Sequence, residues 1–136
     1  SSLGTMKMKN AVNESEKVIS AFDVKTPGSS TLATALSGGN QQKFVVGREL
    51  EDNPSLLIAS QPTRGIDIGA QALIWEKLRN SRDEGLSVLL ISADLEELIG
   101  LSDRIIVFYQ GKLVKELDAE KVTPEDLGGY MTGLKK

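Results

Sequence analysis

An α/β fold built on a mostly parallel sheet is predicted by three observations. Leu56 to Ala59, Val88 to Ile91 and Ile105 to Tyr109 are short, continuously apolar runs, the pattern of strands buried on both faces. Helix-patterned sequence separates each run from the next, as the crossover connections between parallel strands require. The part before Pro54 carries helical periodicity alone, which sets residues 1–54 apart as a helical subdomain from the α/β residues 55–136.

Taken in order, residues 7–22 place Ala11, Val18, Ile19 and Phe22 among charged positions, one apolar stripe on an amphipathic helix. Pro27-Gly28-Ser29-Ser30 ends it. A polar linker leads to a second helix, about Gly39 to Glu51, with Phe44, Val45, Val46 and Leu50 for a buried face and Asn53-Pro54 as its stop. Between the first two strands a long helix, about Gly69 to Glu84, turns Leu73, Ile74 and Leu78 inward and stops at Gly85. Asp94 to Ile99 makes a shorter one. Gln110-Gly111 turns the third run into a hairpin strand, Lys112 to Leu117. Thr123-Pro124-Glu125-Asp126 opens a last helix with a capping hydroxyl, proline at the first position and acids in the first turn.

Composition narrows the chemistry. With 136 residues, 40% hydrophobic and 26% charged, the chain is of single-domain size and ordinary globular make-up. A net charge of -3 provides no basic face for nucleic acid, and no apolar run approaches the length that spans a bilayer. The absence of cysteine leaves neither a disulfide framework nor a thiolate site, which fits a cytoplasmic protein. The absence of histidine removes the commonest general base and metal ligand. No secretory signal pattern is present, and Ser1 to Thr5 read as a remnant of cloning because the chain does not open with methionine.

The stretch that concentrates chemistry is Leu36-Ser37-Gly38-Gly39-Asn40-Gln41-Gln42-Lys43. Ser37 can cap a helix, the two glycines remove side-chain bulk, and the first amides with the positive end of the helix dipole then face outward. On these residues alone, an anion site and a plain serine-capped helix are both open.

The surrounding sequence adds a resemblance. Leu36 to Lys43 resembles the signature motif of ABC-type ATPases, in the Asn-Gln-Gln form found in the double-cassette ATPases of simple-sugar and nucleoside importers. Gln61-Pro62-Thr63-Arg64-Gly65-Ile66-Asp67-Ile68-Gly69-Ala70 resembles the end of that family's Walker B strand and its D-loop. Leu101-Ser102-Asp103-Arg104-Ile105-Ile106-Val107 resembles the strand after the switch. Three blocks in the right order cover roughly residues 15–133. They imply a partial P-loop NTPase fold, the RecA-like lobe of an ABC ATPase without its P-loop strand, with part of the helical signature subdomain.

Two departures matter. No Gly-x-x-x-x-Gly-Lys-Ser/Thr occurs in these 136 residues, so the loop that grips phosphates is not in this chain. The family's Walker B strand ends in aspartate, which helps hold magnesium, and glutamate, which polarises the attacking water; Ser60 and Gln61 stand there. A hydroxyl and an amide lack the anionic field that a hard cation prefers, and an amide is a poor general base. The switch histidine of many ABC cassettes falls at Ala93.

The resemblance therefore implies the C-terminal part of a second, degenerate nucleotide-binding domain. Its signature, Ser37, Gly38, Gly39, Asn40 and Gln41, would act in trans on the γ-phosphate of an ATP held by a competent cassette, with Asn40, Gln41 and Gln42 orienting the helix. Asp67 would report between sites from the D-loop or simply cap the helix that follows, and Lys43 would either join the site or lie on a solvated face. No residue here would be catalytic and none would bind metal. ATP and Mg2+ would serve the full-length assembly, with none held tightly by this chain alone.

The implied partners are the N-terminal cassette of the same full-length chain, membrane permease subunits and, indirectly, a solute-binding protein. The implied location is the cytoplasmic face of the cell membrane. The transported solute is a simple sugar or a nucleoside, the missing acids with Gln-Pro-Thr-Arg-Gly pointing to the nucleoside branch. The rival is a non-catalytic α/β interaction or regulatory module on the same scaffold. A DNA-repair or translation ATPase is disfavoured, because no basic surface or coiled-coil insertion is seen. Loss of the P-loop strand from the sheet should leave unpaired strand edges, which invite a dimer or a displaced strand.

Overall fold

The computed structural model describes residues 8–135; Ser1 to Thr5 and the first residue of the helix expected over 7–22 lie outside the described residues. In chain order come α1 (Met8–Ala21), a single 3-10 turn (Ala33–Ala35), α2 (Gly38–Glu51), β1 (Leu56–Ser60), α3 (Ile68–Asp83), β2 (Ser87–Ile91), α4 (Leu95–Leu101), β3 (Arg104–Tyr109), β4 (Lys112–Asp118) and α5 (Pro124–Met131). The described residues group into two units, one of residues up to Leu57 with Pro62–Val88, the other of Ile58–Gln61 with Leu89 onward.

In the first unit α1 packs on α2 and α2 on α3. Val18, Phe22, Val46, Ala70, Ile74 and Leu78 are buried there, each large apolar side chain worth about 1.5–3 kcal/mol in area removed from water. The inward stripe of α2 runs through Gly39, Val46 and Gly47, the spacing of one helix face. That corrects one expectation: Val45, one residue off the stripe, is exposed, while Phe44 and Leu50 are half-buried. Helix α2 stops where Asn53 takes φ 47°, in front of Pro54, and α3 stops ahead of Gly85 at φ 107°. Leu73 is only half-buried, so Ile74 and Leu78 carry the buried face of α3.

In the second unit Leu98, Ile105, Val107, Ala119 and Leu127 form a core, with Leu95, Leu117 and Tyr130 packed against it. Asp94 caps α4 by accepting from the amides of Glu96 and Glu97, and Thr123 caps α5 by accepting from the amide of Asp126 at 3.1 Å. The Thr123 cap stands where the sequence places it.

The strands depart from expectation in two ways. β1 pairs with β2, and the bonds Ser87 N–H to Ser55 O (3.2 Å) and Gln61 N–H to Ile91 O (2.7 Å) at opposite ends show that they run parallel. β3, expected to extend this parallel sheet, lies outside it; its antiparallel pairing with β4, Arg104 opposite Asp118 and Tyr109 opposite Lys112, is the hairpin expected from Gln110-Gly111. A two-residue turn with φ of 49° at Gln110 and 75° at Gly111 makes that local pairing, and the described residues form two two-stranded sheets.

The second correction concerns burial. On β3 the side chains of Ile105 and Val107 are 4% and 3% exposed, whereas Phe108 is 66% exposed; on β1, Ile58 is 61% exposed. Leu56, Leu89, Ile91 and Ile106 are exposed as well. Continuous apolar strands are buried on both faces only where a layer covers each face, and these strands are covered on one.

Candidate functional site

The amino end of α2 is built by its own sequence. Ser37 sits in extended backbone (φ -63°, ψ 156°) and its hydroxyl accepts from the Asn40 amide at 3.4 Å, while its carbonyl accepts the first intrahelical bond from Gln41 at 2.9 Å. Asn40 Nδ2 donates to the same hydroxyl at 3.0 Å, and Asn40 Oδ1 accepts from the Lys25 amide at 2.8 Å. Gln41 Nε2 donates back to the Leu36 carbonyl at 3.0 Å. The side chains of Asn40 and Gln41 are thus engaged in holding the loop to the helix.

The two glycines differ. A Cβ built on Gly38 meets nothing within 4 Å, so that position is open. Gly39 is buried, and a Cβ there would lie 2.8 Å from Asp67 Oδ2 and 3.1 Å from the Ala70 Cβ. Gly38 and Gly39 occupy the first turn, where amides have no acceptor within the helix. With Ser37 and Gly38 exposed, the end of this helix carries partial positive charge toward solvent. Lys43, one turn further on, is half-buried, and its ammonium donates to the Asp23 carbonyl at 3.2 Å, so it is not a simple solvated cation.

Asp67 caps α3: its Oδ1 accepts from the Ala70 amide at 3.0 Å. That bond, with further backbone amide bonds and the nearby Lys43 charge, holds the Asp67 carboxyl below the usual carboxylate range. Sequence reasoning weighed a D-loop role and the cap, and missed the closeness to Gly39, since residues so far apart in sequence carry no local signal of adjacency.

Ser60 ends β1 with its side chain exposed. Gln61 follows at φ 51°, a left-handed backbone that an ordinary side chain adopts at a cost of order 1–3 kcal/mol. Its Oε1 accepts from the Ala93 amide at 3.5 Å, so the two positions singled out beyond the ends of β1 and β2 do meet. Thr63 and Pro62 are buried beyond it, and Gly65 turns at φ 74°. Among the described residues no group of three or more His, Cys, Asp or Glu could hold a metal ion, and no helix is long and apolar enough to cross a membrane.

Comparisons place the chain among known proteins. No protein-family model matches. The chain is 45% identical over 133 residues to the guanosine import ATP-binding protein NupO of Bacillus subtilis, covering 98% of the chain and 26% of that protein. It is 44% identical over 125 residues to the nucleoside import ATP-binding protein NupA of Lactococcus lactis, covering 91% and 25%. It is 48% identical over 120 residues to the glucose import ATP-binding protein TsgD13 of Haloferax volcanii, covering 87% and 22%. The chain therefore spans about a quarter of the length of these relatives.

Among solved structures, a nucleotide-free ATP-binding cassette from an ABC transporter superposes with TM-score 0.72 at 21% identity, over 96% of this chain and 50% of that one. A dimeric cassette in a post-hydrolysis state bound to ADP and Pi superposes with TM-score 0.71 at 22% identity, over 86% and 50%.

Proposed function

We propose, for a chain that has part of the ABC ATPase cassette fold and homologues among nucleoside and sugar import ATP-binding proteins, that it lends the amino end of α2 to an ATP held by another cassette. The carrying observation is the open Gly38 beside Ser37 at the head of a 14-residue helix whose loop is braced by Asn40 and Gln41. A γ-phosphate approaching this end meets amides, a hydroxyl and the helix dipole, the fixed donors that stabilise charge during phosphoryl transfer.

In this reading the whole protein energises uptake of a nucleoside or simple sugar. The nucleotide's own loop and hydrolytic acids come from a competent cassette, with Mg2+ bound there. The positions Ser60, Gln61 and Ala93 belong to a site without hydrolytic groups. Permease subunits anchor the assembly at the cytoplasmic face of the membrane, and a solute-binding protein delivers cargo to them.

The test is ATP hydrolysis by the full-length protein carrying Ser37→Arg. A guanidinium at the cap displaces the hydroxyl and fills the approach over Gly38, and loss of such donors costs about 100-fold in rate. A wild-type rate would overturn the in-trans role and favour the rival, a non-catalytic interaction module.

A further inference from the structure

We propose that Asp67 is a positioning residue: its carboxylate, seated on the backbone of Gly39, joins the amino ends of α2 and α3 and so fixes the direction in which Ser37 and Gly38 point. This deepens the proposed function, on which its purpose rests. The two adjacent glycines then have separate tasks.

Gly38 has open space where a side chain would go, and is the glycine free to meet a ligand. Gly39 has none: a Cβ would stand 2.8 Å from Asp67 Oδ2, a distance real Cβ atoms essentially never show, and 3.1 Å from the Ala70 Cβ. Ala70 is itself buried in the first turn of α3, so it has no room to yield. A side chain at residue 39 would thus displace the Asp67 carboxylate and press on Ala70.

Asp67 is suited to the joint because a carboxylate has two oxygens. Oδ1 is committed to the Ala70 amide at 3.0 Å, which fixes the side chain's rotamer, and Oδ2 is presented to Gly39. One negative charge then sits near the positive ends of two helices at once, with Lys43 of α2 close enough to add its attraction. A rotation of α2 that re-aimed Ser37 would carry Gly39 off this carboxylate, so the cap of α3 and the aim of α2 move together.

The experiment uses the chain without nucleotide, in four forms: unchanged, Gly39→Ala, Asp67→Ser and both together. Asp67→Ser keeps a capping oxygen for Ala70 and removes the one facing Gly39. Denaturant unfolding should show Gly39→Ala lowering the folding equilibrium constant about ten-fold in the unchanged chain and clearly less with Asp67→Ser, where only the contact with Ala70 remains. Amide hydrogen exchange should quicken about ten-fold in the first turn of α2, at Asn40 to Gln42, in Asp67→Ser with Gly39 intact, while α5 amides keep their rates. A purely local cap would disturb α3 alone.

A Gly39→Ala effect equal in both backgrounds, or unchanged exchange in α2, would overturn the joint. If Gly39→Ala does not fold, the exchange measurement on Asp67→Ser decides by itself. Neither readout involves ATP, so its failure is distinct from failure of the in-trans role, which Ser37→Arg reports.

Discussion

Gly47 faces Phe22 across the contact of α1 with α2 so closely that a Cβ on Gly47 would lie 2.7 Å from Phe22 Cδ2 and 2.6 Å from Val18 Cγ1. Both side chains are buried, so neither has an empty direction to turn into. Gly47→Ala opposes two effects: helix propensity favours alanine by about 1 kcal/mol, and overpacking a filled contact costs about 1–3 kcal/mol. The steric effect wins because the clash is with two buried side chains. Urea unfolding should show a net loss of up to about 2 kcal/mol, and Gly47→Ala combined with Val18→Ala should recover part of it.

The same pair shows what the sequence makes legible. Val18 and Phe22 belong to a periodic stripe, so their burial follows from spacing, and the caps at Ser37, Asp94 and Thr123 follow from residue type. The closeness at Gly47, and at Gly39 with Asp67, is a property of two surfaces meeting and has no periodic signal. Strand faces are hidden for a related reason: Ile105 and Phe108 are both apolar, and which of them is covered depends on what else packs on the sheet.

That difference between faces is measurable on β3. Ile105 is buried in the core with Leu98 and Leu127, while Phe108 is exposed. Ile105→Ala should cost about 2–5 kcal/mol through lost burial and a cavity. Phe108→Ala removes a larger side chain yet should stay within about 1 kcal/mol, the range of strand propensity and cross-strand pairing. Equal losses in thermal unfolding would mean that both faces of β3 are covered, as the sequence pattern alone suggested.

Gln61 meets Ala93 through its side-chain oxygen, at 3.5 Å. Gln61→Glu keeps that acceptor and restores a carboxylate where the resemblance puts the water-polarising glutamate. It should nevertheless give this chain no ATP turnover above background, because the 136 residues contain no Gly-x-x-x-x-Gly-Lys-Ser/Thr and Ser60 supplies no anionic metal ligand. Phosphate release with Mg-ATP is the check; steady turnover would show that the nucleotide is gripped by residues outside those named here.

The pH profile has a sign that follows from its carboxylates. Asp67 is held below the ordinary value of 3.8, first by the Ala70 amide. Asp23 is lowered by the Lys25 ammonium, Asp118 by Lys121 and Asp126 by Lys135. Their stabilisation is complete above the unfolded-state pKa and is lost as pH falls through the lower folded-state values, so the unfolding midpoint should drop below about pH 4. Lys121 and Lys135 are raised from 10.5 by the same two pairs, so their share is full below that value and lost as pH rises beyond it. No histidine is present to titrate between these limits, and the midpoint should be flat from about pH 5 to about pH 9. Asp67→Asn should flatten the acid limb more than Asp23→Asn, since its carboxylate serves backbone amides in the first turn of α3, whereas Asp23 pairs chiefly with the exposed Lys25.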